Sequence, residues 1–227
     1  MKLILASSGF ESKESVEKCI EFVGKPAKEI NFAIVNEAYA VEIGDHHWVL
    51  DDLDTIRKNF SGSIEFINLL ALDINKVEER INAADVIFVI GGNTEYLKTV
   101  FDKTGFSKLL PKLLENKVYI GSSAGSMVLG RQPSFKIQDK IYGETDYFGV
   151  HEYLNILNFS ILPHFHSNYF SERADKWAIE ESKKVSYPVY AVSDNAAVIV
   201  DGNKEYVIGR DYLKLLSGKK IETNSEI

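Results

Sequence analysis

Several short runs in this chain are apolar and rich in β-branched residues, and they do not alternate with polar residues. They are Lys2 to Ala6 (KLILA), Asn31 to Val35 (NFAIV), Val86 to Ile90 (VIFVI), Val118 to Ile120 (VYI) and Val189 to Val192 (VYAV). A strand with one face in water alternates apolar with polar; one that does not is buried on both faces. Many such strands in one chain require a mostly parallel sheet covered by helices on both sides. The segments between them carry helical spacing, as in Lys13 to Val23, in Asn75 to Ala83, and in Leu50, Leu53 and Ile56 on one face of a helix. The rhythm is β-α-β-α. It breaks from about Gln132 to Phe159, where aromatic and polar residues mix, and resumes at Ile161-Leu162. Near the end, Ala197 to Val200, the turn Asp201-Gly202-Asn203 and Tyr206 to Ile208 predict a β-meander. No repeat or linker interrupts the 227 residues, so one domain over 1–227 is expected.

Charge removes several classes of function. The net charge is -7, whereas a phosphate-binding or anionic-membrane surface needs a basic excess. No apolar run approaches the roughly 20 residues that cross a bilayer. The opening MKLILASSGF reads as a first buried strand rather than a signal peptide. The single cysteine, Cys19, sits on an apolar helix face and cannot form an intramolecular disulfide. A cytoplasmic protein is expected, with no nucleic-acid or membrane partner.

In parallel sheets, ligands gather at the carboxyl ends of strands. Four such ends carry unusual residues. After Ile120 comes Gly121-Ser122-Ser123-Ala124-Gly125, a Gly-x-Ser-x-Gly between a strand and an apolar run. In a nucleophile elbow the serine takes strained angles, so its neighbours must be small. The Ala124 amide would then face a forming oxyanion. After Ile90 comes Gly91-Gly92-Asn93-Thr94. Gly92 could give a second oxyanion donor; the plainer reading has the glycines make the turn and Asn93 or Thr94 cap the next helix. After Leu162 comes Pro163-His164-Phe165-His166. His164 is the candidate general base, with His166 as the spare, because a serine hydroxyl attacks only when a neighbour takes its proton. A His-x-His metal pair is disfavoured, since no set of Cys or acidic ligands accompanies it. After Val192 comes Ser193-Asp194-Asn195, where Asp194 either orients the histidine or serves a turn. Gly44-Asp45-His46-His47-Trp48 reads as an exposed loop or a wall on the substrate side, and His151 has no evident partner.

Taken in order, Gly-Gly-Asn-Thr, Gly-x-Ser-Ala-Gly, Pro-His-Phe and a late acid resemble the peptidase E and cyanophycinase family of serine peptidases. The resemblance runs from the first strand to the terminal meander. It implies the flavodoxin-like, doubly wound α/β fold of class I glutamine amidotransferases. It also implies Ser123 as nucleophile, His164 as base, Asp194 as third member, and an oxyanion hole from Gly92 and Ala124. The order Ser, His, acid differs from the Ser, acid, His of an α/β-hydrolase. An amidotransferase would need cysteine at the elbow. Peptidase E itself carries glutamate in a Pro-Glu-Gly context where this chain has Ser193-Asp194-Asn195, so the subgroup is open. Arg173 falls near the arginine that reads an N-terminal aspartate in peptidase E, and the alternative is a plain helix-surface arginine. Asn93 and Asp146 complete the expected substrate contacts, Asp146 only with a gap.

The expected function is hydrolysis of short peptides by a dipeptidase that prefers N-terminal Asp, through the Ser-His-Asp triad and an acyl-enzyme. No metal or organic cofactor is expected, and the chain would act as a monomer or homodimer. The rivals are a cyanophycinase-like or isoaspartyl peptidase and a non-catalytic binding protein on the same scaffold.

Overall fold

The computed structural model describes residues 1–133, 148–150, 152–168 and 175–222. Its first sheet has seven strands: β1 (Lys2–Ala6), β2 (Phe32–Val35), β3 (Ile64–Ile67), β4 (Val86–Val89), β5 (Val118–Ser122), β8 (Ala196–Asp201) and β9 (Lys204–Gly209). They lie in the order β3-β2-β4-β5-β1-β8-β9. The first five are parallel to one another, and β8 and β9 add an antiparallel hairpin.

The non-alternating strand sequences are explained by two cores. In β1, Leu3 and Leu5 point into one core while Ile4 and Ala6 point into the other. The first core takes Val77 and Ile81 of α3 (Ile74–Ala83), Leu97 and Phe101 of α4 (Thr94–Thr104), and Phe106 and Leu110 of α5 (Phe106–Leu113). The second takes Cys19 and Phe22 of α1 (Lys13–Val23) and Val49 and Ile56 of α2 (His47–Asn59). Both faces of the sheet are therefore covered, and each large apolar side chain so buried contributes about 1.5–3 kcal/mol. This is the flavodoxin-like α/β architecture. Among the described residues, no helix is long and apolar enough to cross a membrane.

Two features depart from the sequence reading. Helix α2 buries Val49, Asp52 and Ile56, whereas Leu50 is 60% exposed. The buried face runs through Val49, Leu53 and Ile56, with Asp52 beside them bonded to Ser122. The later strands also separate into a second sheet. It comprises β6 (Ser160–Leu162), β7 (Val189–Val192), β10 (Tyr212–Leu216) and β11 (Lys219–Lys220), in the order β11-β10-β7-β6. Helix α7 (Asp175–Ser182) packs against it through Ala178. Strand β7 belongs to the second sheet and β8 to the first, so residues 193–195 form the crossing between sheets. Candidate residues from both sheets meet at that seam.

Candidate active site

Ser123 follows β5 and precedes a short helix, α6 (Ala124–Met127). Its backbone sits at φ 48 and ψ -109, a conformation that L-residues rarely take. Such strain costs of order 1–3 kcal/mol and persists only where the surroundings enforce it. Here they do. A Cβ on Gly121 would lie 2.5 Å from the Gly125 carbonyl carbon, and one on Gly125 would lie 2.2 Å from the Val89 oxygen. Strand and helix thus touch where only glycine fits. The Ser123 amide donates to the Ala6 carbonyl at 3.1 Å. The Ser126 hydroxyl bonds the Ala6 and Gly121 carbonyls at 2.7 and 2.8 Å, and the buried Tyr119 hydroxyl donates to the Gly125 carbonyl at 2.6 Å.

His164 reaches this serine from the other sheet. It follows β6 in a tight turn, with φ 60. The turn is pinned because buried Phe165 donates its amide to the Val192 carbonyl at 3.0 Å. His164 Nε2 lies 3.0 Å from Ser123 Oγ, and its Nδ1 lies 2.6 Å from Asp194 Oδ1. Both are hydrogen-bonding distances. Burial alone would raise the Asp194 carboxyl, but hydrogen bonds from His164, Ser7 and Ser167 outweigh it and hold the group below its ordinary range. Asp194 therefore stays ionised and suited to holding a protonated imidazole.

A further residue completes this line. Ser7, just after β1, is fully buried. Its hydroxyl donates to Asp194 Oδ1 at 2.8 Å and accepts the His164 amide at 2.6 Å. One hydroxyl thus fixes the acid and the histidine backbone together. The strand-end rule that led to the other loops also points to Ala6-Ser7-Ser8-Gly9 as a location, though not to the partners of Ser7. A hydrogen bond to a charged group is worth about 1.5–3 kcal/mol. Ser7→Ala is accordingly expected to lower kcat roughly 10- to 100-fold with little change in KM. Unchanged kcat would contradict a positioning role for Ser7.

Asp52 supports the elbow from below. The Ser122 hydroxyl accepts the Gly9 amide at 3.1 Å and donates to Asp52 Oδ1 at 3.2 Å. Burial pushes the Asp52 carboxyl up to about 7, an effect the Ser122 hydrogen bond only partly offsets. Between about pH 4 and 7 the folded chain therefore holds a proton that the unfolded chain has released. Wild-type stability should fall as pH rises through that window, by at most on the order of 4 kcal/mol. In urea titrations at pH 5 and pH 8, Asp52→Asn is expected to gain stability relative to wild type at the higher pH. A gap that does not change with pH would contradict this.

Of the two expected oxyanion donors, Ala124 follows Ser123 in the chain, and Gly92 follows Gly91, whose added Cβ would lie 3.1 Å from the Ser123 Cβ. Neither the Gly92 nor the Ala124 amide donates to an acceptor among the described residues. Gly92 has φ 127, and a Cβ there would lie 2.4 Å from the Ala38 carbonyl carbon. Since α6 is only four residues long, individual amides rather than a long helix dipole carry the positive potential here. Asn93 is committed to structure: its Oδ1 caps α4 by accepting the Tyr96 amide at 2.9 Å, and its side chain also bonds Glu42. His166 does not face Ser123. Its Nδ1 lies 2.9 Å from Asp211 Oδ1, and its Nε2 lies 2.7 Å from Asp175 Oδ1. Arg173 and Asp146, expected to contact substrate, lie outside the described residues, as does His151.

This arrangement can be set beside known proteins. Residues 3–208 match the model of Peptidase family S51. An uncharacterized peptidase of Listeria monocytogenes is 29% identical over 152 residues, covering 65% of this chain and 71% of its own. An uncharacterized peptidase of Pasteurella multocida is 24% identical over 211 residues, covering 92% and 97%. In three dimensions, a crystal structure of a candidate peptidase E from Listeria monocytogenes superposes with a TM-score of 0.74 at 23% identity, over 92% of this chain and 98% of that one. A peptidase from an acI-B1 actinobacterium does so at 0.67 and 18%, over 97% and 96%.

Proposed function

The chain belongs to peptidase family S51, a family of serine peptidases, and from that premise we propose that it hydrolyses short peptides, as a dipeptidase, through Ser123, His164 and Asp194. The observation that carries the reading is the continuous hydrogen-bonded line from Ser123 Oγ through His164 to Asp194 at a strained elbow.

In the proposed cycle Ser123 Oγ attacks the scissile carbonyl carbon while His164 Nε2 takes the hydroxyl proton. Asp194 holds the imidazole in the tautomer with Nδ1 protonated and stabilises its charged form. The oxyanion accepts hydrogen bonds from the Gly92 and Ala124 amides. As the C–N bond breaks, Nε2 returns the proton to the leaving amine. Water then attacks the acyl-enzyme with Nε2 as base, and Ser123 regains its proton. Apart from the attacking water, each group named in the cycle belongs to the protein. The finer preference for N-terminal Asp depends on Arg173, whose guanidinium would pair with the aspartyl carboxylate.

The test is a panel of α-linked Asp-Leu, Glu-Leu, Ala-Leu and Lys-Leu beside β-linked Asp-Leu, with wild type and Ser123→Ala in parallel. Cleavage of α-Asp-Leu alone, lost in the variant, supports an aspartyl dipeptidase. Cleavage of other α-linked members keeps the triad and removes the Arg173 assignment. Cleavage of the β-linked isomer alone makes the chain an isoaspartyl peptidase. Failure to cleave any member contradicts the dipeptidase reading.

A further inference from the structure

A file of aromatic side chains runs from the 3-10 turn Glu37–Val41 to the start of α2 and ends beside the Gly91 turn that abuts Ser123. A Cβ built on Gly91 would lie 3.1 Å from the Ser123 Cβ and 3.6 Å from Cζ3 of Trp48. The indole edge and the Ser123 side chain therefore both pack close to Gly91. Trp48 is the last of three aromatic rings in file: Tyr39 and His46 have centroids 5.8 Å apart, and His46 and Trp48 6.0 Å apart.

The segment bearing these rings is fixed to the loop with the oxyanion donor. The Asn93 amide donates to the Ala38 carbonyl at 2.9 Å, and the side chains of Glu42 and Asn93 are hydrogen bonded. Trp48 is nonetheless not a core residue. It belongs to none of the hydrophobic cores among the described residues, and it is 36% exposed. Val41 and Ile43 in the same segment are exposed as well. A large ring half in water is ordinary on a protein surface. A large, partly exposed ring beside the turn that abuts Ser123 is a ready wall for an apolar group of a substrate.

We propose that Trp48 forms the wall of a side-chain subsite beside Ser123, taking an apolar or aromatic side chain from a peptide residue that flanks the scissile bond. The inference builds on the reading of Ser123 as the nucleophile. It adds a selectivity that the triad does not contain. Ring-on-ring contact and loss of apolar area to water both favour a bulky side chain over hydrogen at this position.

The experiment measures peptide binding by calorimetry on the Ser123→Ala protein, so that no turnover intrudes. The peptides are Ala-Phe, Ala-Gly, Phe-Ala and Gly-Ala. One of the two Phe peptides is expected to bind about tenfold tighter than its Gly counterpart. Which one does so places the subsite on the leaving or the acyl side. Adding Trp48→Ala should bring that ratio to within about twofold, whereas Trp48→Phe should keep most of it. The absence of any Phe preference in Ser123→Ala, or a preference that survives Trp48→Ala, overturns the proposal. Wild-type hydrolysis of these peptides and of the full dipeptide panel above separates the two readings. A Trp48-dependent preference without hydrolysis leaves the subsite and removes the peptidase; hydrolysis without a preference does the reverse.

Discussion

Ser123→Ala is expected to lower kcat on a cleaved peptide by on the order of 10⁵–10⁶, with KM changed far less. The size follows from how a triad works. Its members act as one unit, so loss of the nucleophile removes nearly the whole contribution of the triad, about 10⁶ in the best-studied cases. What remains comes from the oxyanion donors and substrate binding. The folded structure should survive the change. Alanine keeps the Cβ, and the strained backbone is held by the Ala6 carbonyl and by the glycine contacts at positions 121 and 125, not by the hydroxyl. Steady-state rates on a substrate of the panel check this. A loss of only tenfold would make Ser123 a binding residue rather than a nucleophile.

Asp194→Asn is expected to lower kcat about 10⁴-fold while leaving the geometry largely intact. The amide that replaces the carboxylate can offer its N–H to His164 Nδ1. The ring would then carry its proton on Nε2, the atom that must accept the proton of Ser123. Ser7 sharpens the expectation. Its hydroxyl donates to the same Asp194 oxygen that faces His164, so in the variant it must turn to accept from the amide N–H. Rates of Asp194→Asn beside Asp194→Ala measure it. A loss below about tenfold in both would show that Asp194 serves the turn between the sheets and nothing more.

Much of this was legible in the sequence because the relevant physics is local. KLILA and VIFVI predict strands buried on both faces, and alternate residues of β1 do enter two different cores. The elbow was legible for a similar reason. Glycines two residues before and after Ser123 are needed where strand and helix touch, and they stand in the sequence as such. The roles of Ser7 and Asp52 were not legible, since each depends on a partner more than 60 positions away. Leu50 was expected on the buried side of α2 because apolar spacing allows it. The helix instead buries Val49 beside Leu53 and Ile56, and also Asp52, whose hydrogen bond to Ser122 no periodicity reveals. The division into two sheets was hidden too, because Val189 to Val192 has the same apolar character whichever sheet it joins. That division brings His164 and Asp194 to the serine.

Labelling with a fluorophosphonate, followed by mass spectrometry of the intact protein and its peptides, shows whether Ser123 is an activated nucleophile. The reagent forms a stable phosphonyl ester only with a serine hydroxyl activated by a neighbouring base, so it reports the nucleophile without knowledge of the substrate. The account predicts one adduct per chain, located on Ser123, absent in Ser123→Ala and strongly slowed in His164→Ala. No adduct on the folded wild type, or an adduct at another residue, would contradict it.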